Sequence, residues 1–295
     1  MPSDLAYTVT TAQPVENKDS TKALEAFFYT CLHAGPTNCS FAGTSSTTAE
    51  LRARFDAVDT ALKTHPIPVD GSPVPFTWSI FRTFLSIALH TAPYFPVLGG
   101  VLAEAEMGGA VGWIPYAMFN VTLVPPAPRP FLDETAPLDG VLSGVCIDAQ
   151  QGHHGAAGNF DAYLAGMFAA APAVAPLFAD WRLVCSKWAF ETENKFPLGH
   201  LGQPVKTNGS ILVVNNVADP ACSLEGAESV VDRFSPSYLV KNNAAGHTTF
   251  TASGPCLFGY IYQFFVLGMT PAPGSECAEI DPKLAPFGLQ LPATL

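Results

Sequence analysis

The stretch Ile211–Val217 (ILVVNNV) decides the fold class of this chain. It is rich in β-branched residues and lies between Gly209 and Pro220, which is typical of a strand buried on both faces of a sheet. A helix is predicted next over Leu224–Phe234, and Ser237–Lys241 predicts a second strand. Strands that alternate with helices in this way indicate a parallel sheet with crossover helices, so the sequence predicts an α/β fold.

Two polar residues follow these predicted strands at the point where each strand ends. Asp219 comes after the first strand, in Ala-Asp-Pro, and His247 follows the second, in Ala-Gly-His-Thr. The carboxyl ends of neighbouring parallel strands meet at one edge of a sheet, so both side chains are expected there. We interpret them as a catalytic acid and base, in which the carboxylate fixes the imidazole and the imidazole takes a proton from a serine hydroxyl. Each residue alone also fits a simple turn or loop.

Helical periodicity dominates the part of the chain that precedes these strands. Thr21–His33 repeats apolar residues at helical spacing until Gly35-Pro36, and Thr47-x-x-Glu50 reads as a capping box for a second helix. Helices are also predicted over Phe76–His90, Pro96–Glu106, Phe160–Phe178, Ala179–Trp188 and Gly254–Leu267, and a short strand over Val141–Asp148. We therefore expect an irregular segment over 1–20, a helical lid over 21–140 and part of an α/β core over 141–295.

Composition excludes several classes of function. The chain has 295 residues, 48% hydrophobic and 13% charged, and this balance predicts a sizeable buried core. Its 25 acidic and 14 basic residues give a formal charge of −11, which argues against nucleic acid as a partner because phosphate binding needs clustered Lys and Arg. The most apolar stretch, Phe81–Pro125, is interrupted by charged residues and prolines. We therefore expect no membrane-spanning segment and no membrane partner.

Cysteines and glycosylation sequons indicate an oxidising compartment. The seven cysteines are widely spaced without a CxxC pair, which favours disulfides over a zinc site, and sequons begin at Asn38, Asn120 and Asn208. These features predict a secreted protein, although the N-terminus has no segment typical of a signal peptide. His153-His154 is interpreted as a solvated loop, and we expect neither a metal nor another cofactor.

Several motifs occur together around Asp219-Pro220 and Gly246-His247. They are Asp180-Trp181-Arg182-x-x-Cys185-x-x-Trp188, Ile211-Leu212-Val213-Val214, Cys256, and Gly268-x-x-Pro271-x-Pro273-Gly274-x-x-Cys277. Upstream lie Phe27-Phe28-x-x-Cys31-x-x-Ala34-Gly35-Pro36-x-x-Cys39 and Val145-Cys146-Ile147-Asp148. The first set resembles the C-terminal domain of tripeptidyl aminopeptidase-like α/β-hydrolases, which are secreted serine peptidases. The upstream motifs resemble the start of the helical lid and the return strand of that family.

This resemblance implies a fold, a site and a set of disulfides. The fold is the C-terminal part of an α/β-hydrolase sheet with a helical lid, and Asp219 and His247 are the acid and base of its catalytic triad. The implied disulfides are Cys31–Cys39, Cys146–Cys185 and Cys256–Cys277. Cys222 is left over, and it is either free and buried, as we expect, or paired between chains.

The nucleophile of such a hydrolase is not recognisable in this sequence. A serine in Gly-x-Ser-x-Gly is needed on a strand-to-helix turn, and no serine here has glycine at both positions; Ser45 comes nearest, and Ser143 has valines instead. The family places this nucleophile elbow and the early strands before the lid. We therefore expect both to be absent and the chain to be part of a longer hydrolase. Apolar strand surface is then expected to be exposed at Val145, Ile211, Leu212, Val213 and Leu239.

The resemblance implies cleavage of short peptides from a free N-terminus. His247 is the general base and Asp219 orients it, but the chain alone is expected to be inactive without its serine. A non-catalytic protein that binds peptides or small apolar esters, and an esterase of the same fold, are the alternatives. Glu104 and Glu106 lie in an otherwise apolar lid, where a carboxylate is able to hold a peptide amino terminus. A solvated helix face is the favoured interpretation of both.

Overall fold

The computed structural model describes residues 17–69, 71–109, 112–114, 143–144, 146–147, 160–189 and 204–292, to which the statements below refer. The longer helices are α1 (Ser20–Asn38), α2 (Thr48–Leu62), α3 (Trp78–His90), α4 (Phe95–Met107), α5 (Phe160–Ala170), α6 (Ala175–Cys185), α7 (Leu224–Arg233) and α8 (Pro255–Leu267). The strands are β1 (Val205–Ala218), β2 (Phe234–Ala245) and β3 (Ser275–Cys277). Short 3-10 helices cover Ser40–Ala42, Ala92–Tyr94, Thr249–Ala252 and Pro286–Gly288.

Local signals in the sequence account for several helix ends in the first half. The Thr47 hydroxyl accepts a hydrogen bond from the Glu50 amide and so caps α2, as predicted. The Glu50 carboxylate, however, accepts from the amide of Ser46 rather than that of Thr47, so the capping box is only half formed. The predicted stop at Gly35 is a kink with a left-handed φ of 70°, after which helical residues continue to Asn38.

Aromatic rings form the core enclosed by α1 to α4. The ring centroid of Phe27 lies 5.6 Å from that of Phe28, 6.4 Å from Phe41 and 5.6 Å from Phe95. Side chains with 0% exposure in this core are Phe27, Phe28, Phe41, Phe76, Phe81, Phe95, Leu51, Leu85 and Leu98. Burial of one such side chain contributes about 1.5–3 kcal/mol, so apolar packing is the main source of stability in this region.

The sheet has three parallel strands in the order β1-β2-β3, and α7 is the crossover between β1 and β2. This arrangement confirms the predicted α/β class with a separate helical region. Residues 211–216 of β1 pair with residues 237–242 of β2, and after an irregularity Ala218 pairs with Ala245. Both strands begin earlier than predicted but end almost level with each other. The residues that follow them therefore lie side by side.

Two predicted elements differ from the structure. Residues 143–144 and 146–147 have helical conformation, so the strand predicted over 141–148 is wrong for the residues described there. The cause is that a short apolar run fits a strand or a buried helical segment equally well. Two helices are present where two were predicted over 160–178 and 179–188, but the boundary between them lies earlier, since α5 ends at Ala170 and α6 begins at Ala175. Pro172 lies in this gap, because proline lacks the amide hydrogen that a helix needs. Asn120, Val145 and His153-His154 lie outside the described residues.

All three disulfides that the resemblance implies are present. They join Cys31 to Cys39, Cys146 to Cys185, and Cys256 to Cys277. Among the described residues, no helix combines the length and the apolar character needed to cross a membrane.

Apolar surface is exposed in the second half, but its largest part is not where the sequence analysis placed it. Ile211, Leu212, Val213 and Leu239 are half-buried. The more exposed apolar side chains are Phe250, at 76%, and several on α8, in which Phe265 is 75% and Val266 61% exposed. One face of α8 is therefore uncovered within the described part of the chain.

Candidate acid–base site

Asp219 and His247 lie next to each other at the carboxyl edge of the sheet. Asp219 directly follows β1, and His247 lies two residues after β2. Nδ1 of His247 lies 3.1 Å from Oδ1 and 3.3 Å from Oδ2 of Asp219. The Asp219 side chain is 3% exposed, whereas 37% of the His247 side chain is exposed. A buried carboxylate thus orients an imidazole that solvent reaches, which is the arrangement that the acid and base of a triad require.

The Asp219 carboxylate is held in place by the backbone of its own turn and of the neighbouring loop. Its Oδ1 atom accepts hydrogen bonds of 2.8 Å from the amides of Ala221 and Cys222. Its Oδ2 atom accepts one of 3.1 Å from the amide of Thr248. The Asp-Pro turn after β1 therefore serves to position the carboxylate, since the turn amides bind the side chain that precedes them.

Two buried asparagines hold the loop that carries His247. The Asn216 side-chain amide donates to the carbonyl groups of Gly246 and Thr248, at 2.8 and 3.0 Å. Asn242 donates to the Asn216 side-chain oxygen at 2.7 Å. Both asparagines have 0% exposure, so each amide is a strong constraint on the loop. Neither asparagine was predicted from the sequence, although a side-chain amide in an apolar, β-branched strand indicates that the fold must supply it with hydrogen-bond partners.

The helical region contacts the site through His90, the last residue of α3. Its carbonyl oxygen accepts a 2.7 Å hydrogen bond from the backbone amide of His247, and the two imidazole rings are 5.4 Å apart. Gly246 has a φ of 113°, and a Cβ atom there would lie 3.2 Å from the same carbonyl oxygen. Glycine is therefore required at this position both by its backbone conformation and by the approach of α3.

Cys222 also lies at the site, which corrects the expectation that its side chain is buried. It is free and exposed. Its Sγ atom, a ring nitrogen of His247 and a carboxylate oxygen of Asp219 all lie within 4.8 Å of one another. The odd cysteine is recognisable in the sequence, but only the turn after β1 determines that its side chain reaches the imidazole.

The two histidines of the site have opposite pKa shifts. The pKa of His247 is raised to about 10, first by its hydrogen bond to Asp219 and then by the hydrogen bond to Cys222, while burial opposes both. The pKa of His90 is lowered, mainly because the ring is buried. At neutral pH, His247 is therefore charged and His90 is neutral.

The donor atoms of Asp219, Cys222 and His247 are of the types that bind soft divalent metals. Asp219, however, already accepts from three backbone amides and from the imidazole. We therefore assign the carboxylate a hydrogen-bonding role and do not assign a metal to this group.

Residues 17–19, which belong to the segment expected to be irregular, bind the turn that follows Asp219. The Asn17 side-chain amide donates to the Pro220 carbonyl group at 3.1 Å. The Asp19 carboxylate accepts from the Leu224 amide at 2.8 Å, at the beginning of α7. The start of the described chain is therefore bonded to the turn that carries Asp219, a contact that no sequence pattern indicates.

Of the two lid glutamates, Glu106 has the exposed position that was favoured for both, whereas Glu104 does not. Glu104 is 5% exposed, and its carboxylate accepts hydrogen bonds from the backbone amides of Trp113 and Ile114. The Glu106 carboxylate forms two hydrogen bonds, of 2.8 and 2.5 Å, with the Arg54 guanidinium group, which lowers the pKa of Glu106. Both carboxylates thus have partners within the chain, and a role in holding a peptide amino terminus is not supported.

No serine hydroxyl forms a hydrogen bond with His247 among the residues that the structure describes. The hydroxyl of Ser45 instead accepts from the guanidinium group of Arg54 at 2.9 Å. The nucleophile of a triad is therefore not observed next to the base in this part of the chain.

Residues 171–277 match the family model described as TAP-like protein, a family of α/β-hydrolases. The match supports an α/β-hydrolase family and agrees with a partial α/β-hydrolase fold that has a helical region. The TAP-like segment contains β1 to β3, Asp219, His247 and the Cys256–Cys277 disulfide. No curated protein matches the chain.

Proposed function

We propose that this chain provides the acid and base of a serine hydrolase that removes short peptides from a free N-terminus. The observation that carries the proposal is the Asp219–His247 hydrogen bond at the carboxyl edge of the sheet, inside the TAP-like segment. The match supports the hydrolase class. The peptide class rests on the resemblance of the surrounding motifs to aminopeptidase-type hydrolases.

The proposed acid–base step follows from the contacts of His247. Nδ1 faces Asp219, so Nε2 is the nitrogen that takes the proton from the serine hydroxyl and returns it to the leaving amine. The carboxylate fixes the tautomer and stabilises the imidazolium ion that forms. With a pKa of about 10, the ring must first lose a proton before it acts as a base. Turnover is therefore expected to increase with pH from neutral to alkaline conditions.

We further propose that the 295-residue chain is inactive by itself, because no described serine contacts the base. The test is to express the chain in a secretory, disulfide-forming host and to treat it with a fluorophosphonate probe for serine nucleophiles. We expect no covalent labelling. Labelling that disappears in His247→Ala would identify a serine nucleophile in the chain and contradict this part of the proposal.

The substrate class is tested separately by binding. Calorimetric titration of the 295-residue chain with a tripeptide amide is compared with titration of its N-acetylated form. A site for a free N-terminus is expected to bind the unblocked peptide at least about tenfold more tightly, because acetylation removes the charge that is recognised. Equal affinity for the two peptides, or tighter binding of small apolar esters, would instead favour the esterase alternative.

A non-catalytic peptide- or ester-binding protein is the second candidate. The raised pKa of His247 favours it, because an imidazole with a pKa of about 10 is protonated at neutral pH and is not available as a base in that state. Genomic sequence upstream of the codon for Met1 distinguishes the two. An in-frame Gly-x-Ser-x-Gly motif there would exclude the binding protein, and a stop codon in its place would favour it.

We propose that this protein is secreted. It is supported by the three disulfides, which persist in oxidising compartments. An exposed Asn208 in a sequon is compatible with glycosylation there. Expression of the natural gene with a C-terminal tag, followed by deglycosylation of the culture medium and of the cell lysate, tests this location. A tagged protein confined to the lysate and unaffected by deglycosylation would contradict it.

A further inference from the structure

Cys222 carries the single thiol of this chain, and this thiol lies in a cluster of titratable groups. The other six cysteines form the three disulfides. The thiol, the imidazole of His247 and the carboxylate of Asp219 have their nearest donor and acceptor atoms within 4.8 Å of one another. A nucleophile, a proton carrier and the group that orients the carrier are therefore all present.

The backbone holds the thiol in this place. The Cys222 amide donates to Oδ1 of Asp219 at 2.8 Å, and its carbonyl oxygen accepts from the Asn215 side chain at 3.0 Å. Cys222 also lies two residues before the start of the ten-residue helix α7, whose N-terminal amides favour a negative charge nearby. Its side chain is exposed, so a molecule in solution reaches it. An accessible thiol next to an imidazolium ion is the environment of reactive cysteines.

We propose that Cys222 is a modification site for small disulfide molecules, with His247 as the proton donor to the leaving thiol. The thiolate attacks one sulfur atom of the disulfide, and a new bond forms to Cys222 while the original sulfur–sulfur bond breaks. The departing thiolate takes the proton of the His247 imidazolium ion. Cys222 is oxidised to a mixed disulfide, and half of the small molecule is reduced to a thiol. This exchange needs neither a serine nucleophile nor an oxyanion hole, so it is independent of the proposed hydrolase function.

The modification has a consequence for the acid–base pair. Cys222 is the second cause of the raised pKa of His247, after Asp219. A mixed disulfide removes the hydrogen-bonding thiol, so one cause of the raised pKa of His247 is lost while the hydrogen bond to Asp219 remains. The modified protein is therefore expected to carry a neutral His247 at a lower pH than the unmodified protein. The redox state of one thiol thereby affects the pH at which His247 loses its proton.

The first test measures the rate at which oxidised glutathione modifies the folded 295-residue chain between about pH 5 and about pH 9, by intact mass. The variants are His247→Gln and, as a matched control, His65→Gln, which removes an exposed histidine next to Thr64. At about pH 6 the wild type is expected to react at least about tenfold faster than His247→Gln, because the imidazolium ion lies within 4.8 Å of the thiol and protonates the departing thiolate. His65→Gln is expected to match the wild type. Equal rates for wild type and His247→Gln would overturn the proposal.

A second measurement avoids any dependence on the folding of a variant. The wild-type chain is compared before and after unfolding in urea with its disulfides intact. Unfolding separates Cys222 from His247, and the rate at about pH 6 is expected to fall relative to the rate at about pH 9, as for an ordinary thiol. If the folded and unfolded chains have the same pH profile, the imidazole does not assist the thiol and the proposal fails.

The effect of the Cys222 thiol on the pKa of His247 is measured separately. Titration of the imidazole nitrogen signals by NMR is compared between wild type and Cys222→Ser. The groups that interact with His247 are Asp219, Cys222 and His90, and only Cys222 is changed. The His247 midpoint is expected to shift to lower pH in the variant. An unchanged midpoint would contradict the coupling between the thiol and the base.

Discussion

The helical region of α1 to α4 and the sheet region of β1 to β3 with α8 differ in how completely they bury apolar residues. Phe27, Phe28 and Phe95 in the helical region have 0% exposure, whereas Phe258 and Phe265 of α8 are 51% and 75% exposed. The helical region has an aromatic core of its own. In the sheet region, order at the carboxyl edge depends on buried polar side chains and on backbone contacts with α3. The candidate chemistry lies where hydrogen bonds, and not apolar packing, determine the geometry.

The largest expected effect is a difference in the free energy of unfolding between substitution of a buried phenylalanine and substitution of an exposed one. Phe27→Ala is expected to lower the free energy of unfolding by about 3–5 kcal/mol, because it removes a ring that contacts three others and leaves a cavity. Phe265→Ala, the matched change on α8, is expected to alter it by about 0.5 kcal/mol or less. Urea denaturation followed by circular dichroism measures both. Similar losses in the two variants would mean that α8 is covered in solution.

The next effect concerns the polar side chains that replace apolar packing at the site. Asn216→Ala leaves the Gly246 and Thr248 carbonyl groups and the Asn242 amide without this partner, and is expected to cost about 1–3 kcal/mol of stability. The matched control is Asn243→Ala, since the half-buried Asn243 makes only the longer bonds of 3.3 and 3.2 Å to Leu291 and Pro292. Denaturation midpoints compare the two variants. A larger loss in the control would show that the Asn216 network does not stabilise the loop.

A smaller effect is expected in the pH dependence of stability. The pKa of His247 is 6.5 in the unfolded reference and about 10 in the folded chain. The folded state therefore binds the proton more tightly, and the resulting stability is complete below about pH 6.5 and is lost as pH rises towards 10. Because more than a third of the side chain is exposed, solvent screening reduces the size of the effect.

This pH effect is measured by urea midpoints across that pH range for wild type and for His247→Gln. The wild type is expected to lose stability as pH rises, and the variant is expected to lack that contribution. An equal slope in both would assign the pH dependence to other groups.

The smallest expected effect on stability is at the surface of α8. Phe265→Lys is expected to change the free energy of unfolding by about 0.5 kcal/mol or less, but to reduce self-association because it interrupts an exposed apolar face. Met107→Lys is the matched control in the helical region, since Met107 is 72% exposed at the end of α4. Light scattering at increasing protein concentration measures the association. If both substitutions reduce scattering equally, the face of α8 has no special role.

Several features follow from residues that are neighbours in the sequence. The β-branched run before Asp219 predicts a strand, and the register of β1 and β2 explains why the residue after each strand reaches the same edge. Thr47 predicts the cap of α2 because the hydroxyl and the amide it binds are three residues apart. By contrast, the short apolar run over 141–148 has no local feature that distinguishes a strand from a helical segment, and the strand prediction is wrong there.

The positions of Asp219 and His247 and the periodicity of most helices were determined by the sequence itself, because backbone geometry repeats over a few residues. The pairing of six cysteines followed from motifs that resemble a known family. Only the tertiary structure decided that the carbonyl group of His90 binds the His247 amide, that Asn17 reaches the turn at Pro220, and that Cys222 lies against the imidazole. The Asn17 contact joins residues 203 positions apart, and no local pattern encodes such a distance. The turn after β1 and the approach of α3 to the His247 loop determine these contacts, and the Asp219 and Cys222 side chains in that turn raise the pKa of His247.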